Sequence, residues 1–290
     1  MNTYLRNVLA LVALLTPLAS RASELASETL KAWNEYIRTQ DARVAERARS
    51  TPFLWSDESP ERHRRVREGE ILISPVGATM PKNVPHGLIH HWIGAVFVPD
   101  TRLEDVFAIV RDYGRYKEFY APNVIDSKPL PETDDGKAFT MVMLNKALFS
   151  KTALDADFRE SYVRLNDRQW YGIVYSTRVQ EVESYGQPGQ RELPADAGSG
   201  YIWRLHSLSR FEERDGGVYV ELEAIALSRD IPGSLRWLVN PIVRRVSKGS
   251  LLVSLQKTQQ AVRSTAEVAS RPTSIAEPFS VKRSFLPLKP

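Results

Sequence analysis

The sequence predicts an α+β protein: a curved antiparallel sheet wrapped around one long C-terminal helix, with a helical extension at the N-terminus. Three observations carry this reading. The elements run in the order strand, short helices, a long series of strands, then a final helix. The last two strands pair across Asp215-Gly216 so that one face is apolar and the other charged. The final helix carries an apolar stripe that needs a surface to cover it. The 290 residues, 42% hydrophobic and 26% charged, suffice for one or two domains and exclude a disordered or fibrous chain. The absence of cysteine excludes disulfide scaffolds, thiolate metal sites and cysteine nucleophiles. With 39 basic and 35 acidic residues the net charge is only +4, which argues against a nucleic-acid partner.

The first segment reads as an address. Arg6 precedes a short apolar run ending at Ala19, and Ser20-Arg21-Ala22 places small residues before a cut after Ala22. Residues 1–22 are therefore expected to be a secretory signal peptide, with export to the periplasm or the medium; an uncleaved membrane anchor is the alternative. Residues 23–87 form the helical extension, expected to dock on the main domain. Within it, 24–50 reads as a helix on the spacing of Leu30, Trp33, Ile37 and Val44, stopped by Thr51-Pro52. The basic run Arg62-His63-Arg64-Arg65-Val66-Arg67 reads as a solvated helix face, with Glu58, Glu61, Glu68 and Glu70 beside it. A short strand over 70–76 and a proline-marked loop follow.

The main domain is expected over 88–266. Residues 88–98 are β-branched and aromatic, a strand ended by Pro99. Thr101 and Glu104 have capping-box spacing, and Leu103, Val106, Phe107 and Val110 then share a helix face. Gly114 is expected as a left-handed cap. Strands follow near 123–130, 137–147, 152–164, 168–182, 201–213 and 217–228, separated by turn residues. Gly186 to Gly200 is a polar loop, a lid or a surface ornament. Residues 231–264 return to helix, expected as a short piece, a kink at Asn240-Pro241, and a long piece. Its apolar stripe is Leu235, Val239, Ile242, Val246, Gly249 and Val253. Residues 267–290 read as a disordered tail.

With Asp215-Gly216 as a two-residue turn, Phe211 faces Val220, Ser209 faces Leu222, Ser207 faces Ala224 and Leu205 faces Ala226, with Trp203 continuing the same face. The opposite face carries Arg204, His206, Leu208 and Arg210 against Leu227, Ile225, Glu223 and Glu221. The apolar face is expected to meet the last helix. Its small residues, Ser207, Ser209, Ala224 and Ala226, leave volume: either the helix packs in directly, aided by Gly249, or a ligand fills the gap.

The strand ending at Val98, the helix around Val106-Phe107-Ala-Ile-Val110, the segment Asp112-Tyr-Gly-Arg-Tyr-Lys-Glu-Phe-Tyr-Ala-Pro122, the final hairpin and Ile231-Pro232-Gly233-Ser234-Leu235 carry a family likeness. Over about residues 88–264 the chain resembles the helix-grip fold of the START/Bet v 1-like (SRPBCC) superfamily, the polyketide cyclase and lipid-transport group, and is similar to bacterial START-type and coenzyme-Q-binding domains. The segment 24–87 lies outside that pattern. The resemblance implies an apolar cavity between sheet and last helix. On this footing the ligand-binding residues are expected to be Trp203, Leu205, Ser207, Ser209, Phe211, Leu222 and Ala224 on the hairpin, Tyr116 and Tyr120 at the mouth, and Val246 and Gly249 on the helix.

No phosphate-binding glycine loop, nucleophile elbow or zinc-protease motif is present. His90 and His91 point to opposite strand faces and do not share a metal ion. Neither metal nor cofactor is called for. Two functions fit: a non-enzymatic carrier of a lipid, quinone or similar apolar molecule, which the missing motifs favour, and a cyclase- or dehydrase-type enzyme using His206 and Glu223 as acid and base. A scaffold module with a self-filled core is a third reading. Arg236, Arg244, Arg245 and Lys248 add transient membrane-surface contact as a second partner, although a solvated face also explains them.

Overall fold

The computed structural model describes residues 23–133, 136–145, 152–231 and 236–270. The leader at 1–22 and the tail beyond 270 lie outside the described residues. Helix α1 spans Ser27–Arg47 and α2 spans Pro60–Arg67. Strands β1 (Leu72–Pro75), β2 (Lys82–Val84) and β3 (Gly87–Pro99) follow, then α3 (Leu103–Val110) and α4 (Tyr116–Phe119). The series β4 (Val124–Thr133), β5 (Gly136–Asn145), β6 (Thr152–Arg164), β7 (Gln169–Glu183), β8 (Arg204–Arg214) and β9 (Gly217–Arg229) leads to helix α5 (Arg236–Ser270). The strands form one antiparallel sheet along the path β1-β3-β9-β8-β7-β6-β5-β4, with β2 also paired to β3.

The final hairpin has the expected register, Arg214 opposite Gly217 through Ser207 opposite Ala224 to Leu205 opposite Ala226. Its turn residues Asp215 (φ 56°) and Gly216 (φ 76°) both take the positive φ that a right-twisted two-residue hairpin requires. In α2, Ser59 Oγ accepts from the Arg62 amide, Pro60 starts the helix, and the basic run is neutralised by Arg64–Glu61, Arg64–Glu68 and Arg65–Glu70 pairs at the surface.

Several local expectations are corrected. The N-cap of α3 is Arg102, whose amide donates to Asp105 Oδ2 at 2.9 Å, because Thr101 instead donates to the Pro99 carbonyl. Gly114 is not left-handed; it lies within a 3-10 turn over Tyr113–Arg115 that links α3 to α4. The loop from Gly186 is not free to act as a lid. The Glu181 carboxylate accepts from the Ser199 and Gly200 amides at 2.8 and 3.0 Å, and Ala197–Gly198 pairs with Ser23–Glu24. Helix α5 is assigned as one element through Pro241 and on to Ser270, past the expected start of the tail, since Ala266, Glu267 and Ala269 favour helix and the next proline is Pro272.

The seam of α5 that meets the sheet consists of Leu251, Leu255, Thr258 and Val262, all buried. It rests on β1, β3 and β9 and on α3. Gly94 of β3 permits this approach: a Cβ there would lie 2.5 Å from Ile73 Cδ1 and 2.6 Å from Leu255 Cδ1. Val246 and Gly249, taken from the sequence as sheet-facing, lie more than a third of a turn round the helix from that seam at about 100° per residue. A Cβ on Gly249 would meet nothing within 4 Å, so this glycine does not serve close packing.

The other sheet face is sealed by the extension. Arg210 donates to Glu221 (3.1 Å) and Glu223 (2.8 Å), and all three are at most 1% exposed. Glu221 also accepts from the Trp55 and Ser56 amides at 2.8 and 2.7 Å. Glu223 is met by Arg43 of α1 and by His91 Nε2 at 2.8 Å, while His91 Nδ1 lies 2.8 Å from the Tyr36 hydroxyl. Burial lowers the His91 pKa, so the ring is neutral, donating from Nε2 and accepting from Tyr36. The cluster is then balanced, with two guanidiniums against two carboxylates. Apolar residues close the rest: Trp33 and Val44 of α1 pack with Ile89, Trp203, Leu208, Ile225 and Leu227.

Burial alone would raise the Glu223 carboxyl, but the His91 hydrogen bond with Arg210 and Arg43 holds it at about 2. A depressed carboxyl contributes stability above its unfolded value of 4.5 and loses it as pH falls toward 2. Glu223→Gln is therefore expected to cost roughly 3 kcal/mol at neutral pH by leaving Arg210 half-paired. It is also expected to lose less stability than the parent between pH 4.5 and 2. Melting curves across that range check both; an unchanged midpoint at neutral pH contradicts them.

Candidate functional site

The sheet faces differ in closure. The outward residues of β8 and β9, His206, Leu208, Arg210, Glu221, Glu223, Ile225 and Leu227, are each 5% exposed or less. Of the inward residues of the same strands, Leu205, Ser207, Leu222, Ala224 and Ala226 are only half-buried, whereas Ser209, Phe211, Val218 and Val220 are buried. Helix α5 rests mainly on the β1-β3-β9 side, and its seam shares a core cluster with Phe211 of β8, against which Tyr162, Leu222 and Ala224 pack. The architecture is a helix grip.

Paired registers carry side chains across this concave face in rows. One row runs Glu160, Val174, Ser207, Ala224, Trp92 across β6, β7, β8, β9 and β3. The next runs Tyr162, Gly172, Ser209, Leu222, Gly94. The Tyr162 ring packs against Gly172, where a Cβ would approach Tyr162 Cε1 to 2.4 Å and Ser209 Oγ to 2.7 Å. Small residues in mid-sheet thus make a trough between larger walls: Phe211, Phe107 and Tyr162 at one end, and Phe139, Phe158 and Leu205 at the other. Tyr113 stacks on Phe139 at 4.4 Å, and the edge of Tyr116 meets both Tyr113 and Phe139. The Tyr120 hydroxyl lies 3.0 Å from Thr258 Oγ1, tying the chain after α4 to α5.

Of the residues expected to contact a ligand, Leu205, Ser207, Ser209, Phe211, Leu222 and Ala224 share this face, with Tyr116 and Tyr120 on its wall. Trp203 does not. It packs against Trp33 on the outer side because β8 begins only at Arg204; Ile202 takes the inner side instead, breaking the alternation. Val246 and Gly249 lie off the sheet-facing seam, as described. The proposed acid and base also fail to reach the groove: His206 faces Asp41 of α1 at 2.9 Å and Glu223 is enclosed by Arg43 and His91. His90 and His91 point to opposite faces, His90 toward Ser228 Oγ at 3.0 Å.

The sequence reading missed a polar group inside the groove. Glu160 is 4% exposed, and its Oε2 has no hydrogen-bond partner. Burial raises its carboxyl to about 7, against the opposing pull of Arg111. Arg111, just past α3, holds its guanidinium carbon 5.1 Å from the Tyr162 ring centre, and its buried Nε is also unpartnered. Burial raises the hydroxyls of Tyr116, Tyr120 and Tyr162, Glu160 and Tyr120 push Tyr162 further, and the Tyr116 and Tyr120 rings meet edge to face at 5.0 Å. The signal was in the alternation: Ala156, Phe158, Glu160 and Tyr162 are in phase, so a carboxyl stands where the pattern demands an apolar side chain.

A second hollow, about 350 Å³, lies outside between α1 and β2 and is bordered by Tyr36, Gln40 and Lys82. Burial pushes the Tyr36 hydroxyl up, so it is a neutral donor to His91 and not a nucleophile.

No family model and no curated protein matches the chain. Similar solved structures include a STAR-related lipid transfer protein fragment from Xanthomonas axonopodis (19% identity, TM-score 0.42, covering 66% of this chain and 98% of that one). Human STARD10 is similar at 13% identity and TM-score 0.43, over 72% of this chain and 82% of that one. The Zhui aromatase/cyclase from a Streptomyces species is similar at 12% identity and TM-score 0.36, over 64% and 98%.

The raised Glu160 carboxyl has a thermodynamic signature. The folded chain keeps a proton that the unfolded chain releases near 4.5, so this group's contribution falls as pH rises toward 7 and stays low above. Relative to Glu160→Gln, the parent is expected to lose roughly 2–3 kcal/mol between pH 5 and 8. Paired denaturation curves at the two pH values check this; a pH-independent difference refutes it.

Proposed function

We propose that this protein binds an apolar small molecule, of the lipid or quinone kind, in the groove between the inner sheet face and α5. One observation carries the reading: the inner residues Leu205, Ser207, Leu222, Ala224 and Ala226 are only half-buried, while the outer residues His206, Leu208, Arg210, Glu221, Glu223, Ile225 and Leu227 of the same strands are buried. Soluble proteins rarely leave a concave apolar surface uncovered unless something occupies it. A carrier is the better fit, since the residues nominated for acid–base work lie beneath α1. The reading includes export, on the leader-like sequence at 1–22, and transient contact with an anionic membrane surface through the exposed Arg244, Arg245 and Lys248.

Uptake of N-phenyl-1-naphthylamine, an uncharged probe that fluoresces in apolar surroundings, tests the groove. Saturable binding is expected, together with native mass spectra of gently purified protein that carry a bound organic molecule. Protein that stays ligand-free and takes up no probe overturns the proposal.

Ala224→Phe places a ring in the middle of the trough, between Ser207 and Trp92. An open groove accommodates it, so the melting temperature is expected to hold while probe uptake falls at least fivefold. A loss of roughly 1–3 kcal/mol with no effect on uptake would show a packed core instead.

A further inference from the structure

The hollow between α1 and β2 lies apart from the groove, and its walls belong to the extension. Ala32, Glu35, Tyr36, Thr39 and Gln40 recur every three or four positions, so they share one face of α1, and Lys82 and Val84 of β2 stand opposite. At about 350 Å³ the hollow falls within the range of small-molecule sites, roughly 300–1,000 Å³. The Gln40 side chain lines it and is only 8% exposed, yet its amide makes no hydrogen bond among the described residues. Leaving a buried amide unpaired is costly, so the space asks for an occupant that both donates and accepts. Two opposite charges border the same space. Lys82 Nζ sits 5.0 Å from the Tyr36 ring centre, and Glu35 stands one position before Tyr36 on α1. Among the described residues neither charge has an ion-pair partner.

We propose that this hollow is a binding site for a small zwitterion with a short apolar body, such as an α-amino acid with an aliphatic side chain. A ligand carboxylate pairs with Lys82, and a ligand ammonium pairs with Glu35. The Gln40 amide serves both, donating to the carboxylate from its nitrogen and accepting from the ammonium at its oxygen. An ion of one sign meets repulsion from Glu35 or from Lys82, and an uncharged molecule leaves both without a counter-charge. The Tyr36 hydroxyl is committed to His91 Nδ1 at 2.8 Å, so its ring, with Ala32 and Val84, supplies the apolar wall. The site is independent of the groove: its residues lie on α1 and β2, outside the sheet face that meets α5.

The test is a ligand-observed NMR titration of the intact chain with L-leucine and two molecules that each lack one of its charges, isocaproate and isoamylamine. Leucine is expected to bind saturably and at least fivefold more tightly than either. Lys82→Met leaves Glu35 as the sole charge and is expected to bring isoamylamine level with leucine. Glu35→Gln leaves Lys82 alone and brings isocaproate level. Both side chains are exposed, so neither exchange threatens the fold. Gln40→Leu keeps the volume, removes the amide and is expected to weaken leucine at least threefold. An unchanged order of affinities in Lys82→Met or Glu35→Gln overturns the assignment, as does undiminished leucine affinity in Gln40→Leu. Absence of saturable leucine binding in the parent overturns it as well and leaves a water-filled hollow only.

Discussion

The architecture depends on a buried guanidinium. Arg210 sits buried mid-strand on a sheet face, and Glu221, directly across on β9, and Glu223, two residues further along β9, keep it charged there. The pair of carboxylates in turn needs more donors than one arginine supplies. Those come from outside the sheet: the amides of Trp55 and Ser56, Arg43, and the His91–Tyr36 relay. A buried ionic set of this kind is stable only when complete. The extension is therefore a structural layer of the domain, held by specific hydrogen bonds as well as by the Trp33 and Val44 contacts.

This explains a division between the two faces. On the outer face, the Arg210–Glu221–Glu223 set is neutralised and hydrogen-bonded within the chain. On the inner face, glycine, serine and alanine occupy the middle of the rows, and α5 is seated to one side by Gly94 and Leu255. A trough remains in which Glu160 Oε2 and Arg111 Nε lack internal partners.

Much of this was legible in the chain. The hairpin register followed from Asp215-Gly216 alone, because a two-residue turn fixes every pair beyond it. The charged outer face was legible for the same reason. Trp203 was misplaced because alternation was extended one residue past the ladder, where the strand has not yet begun. The face of α5 was misread because its sequence carries two apolar stripes in succession, and only packing against Gly94 selects the later one. Glu160 escaped notice among Asp155, Asp157 and Arg159, since a strand rich in charge hides the one member that falls in the apolar phase.

The one-sided seating of α5 also bears on how such a protein changes over evolutionary time. The half-buried residues Leu205, Ser207 and Ala226 belong neither to the ionic set nor to the α5 seam, so substitutions there leave both intact. Side chains on β6 to β8 can then be exchanged while the convex layer stays fixed. Sequence drift among descendants is then expected to be concentrated on the concave rows, with Arg210, Glu221, Glu223 and their contacts in the extension changing together or not at all.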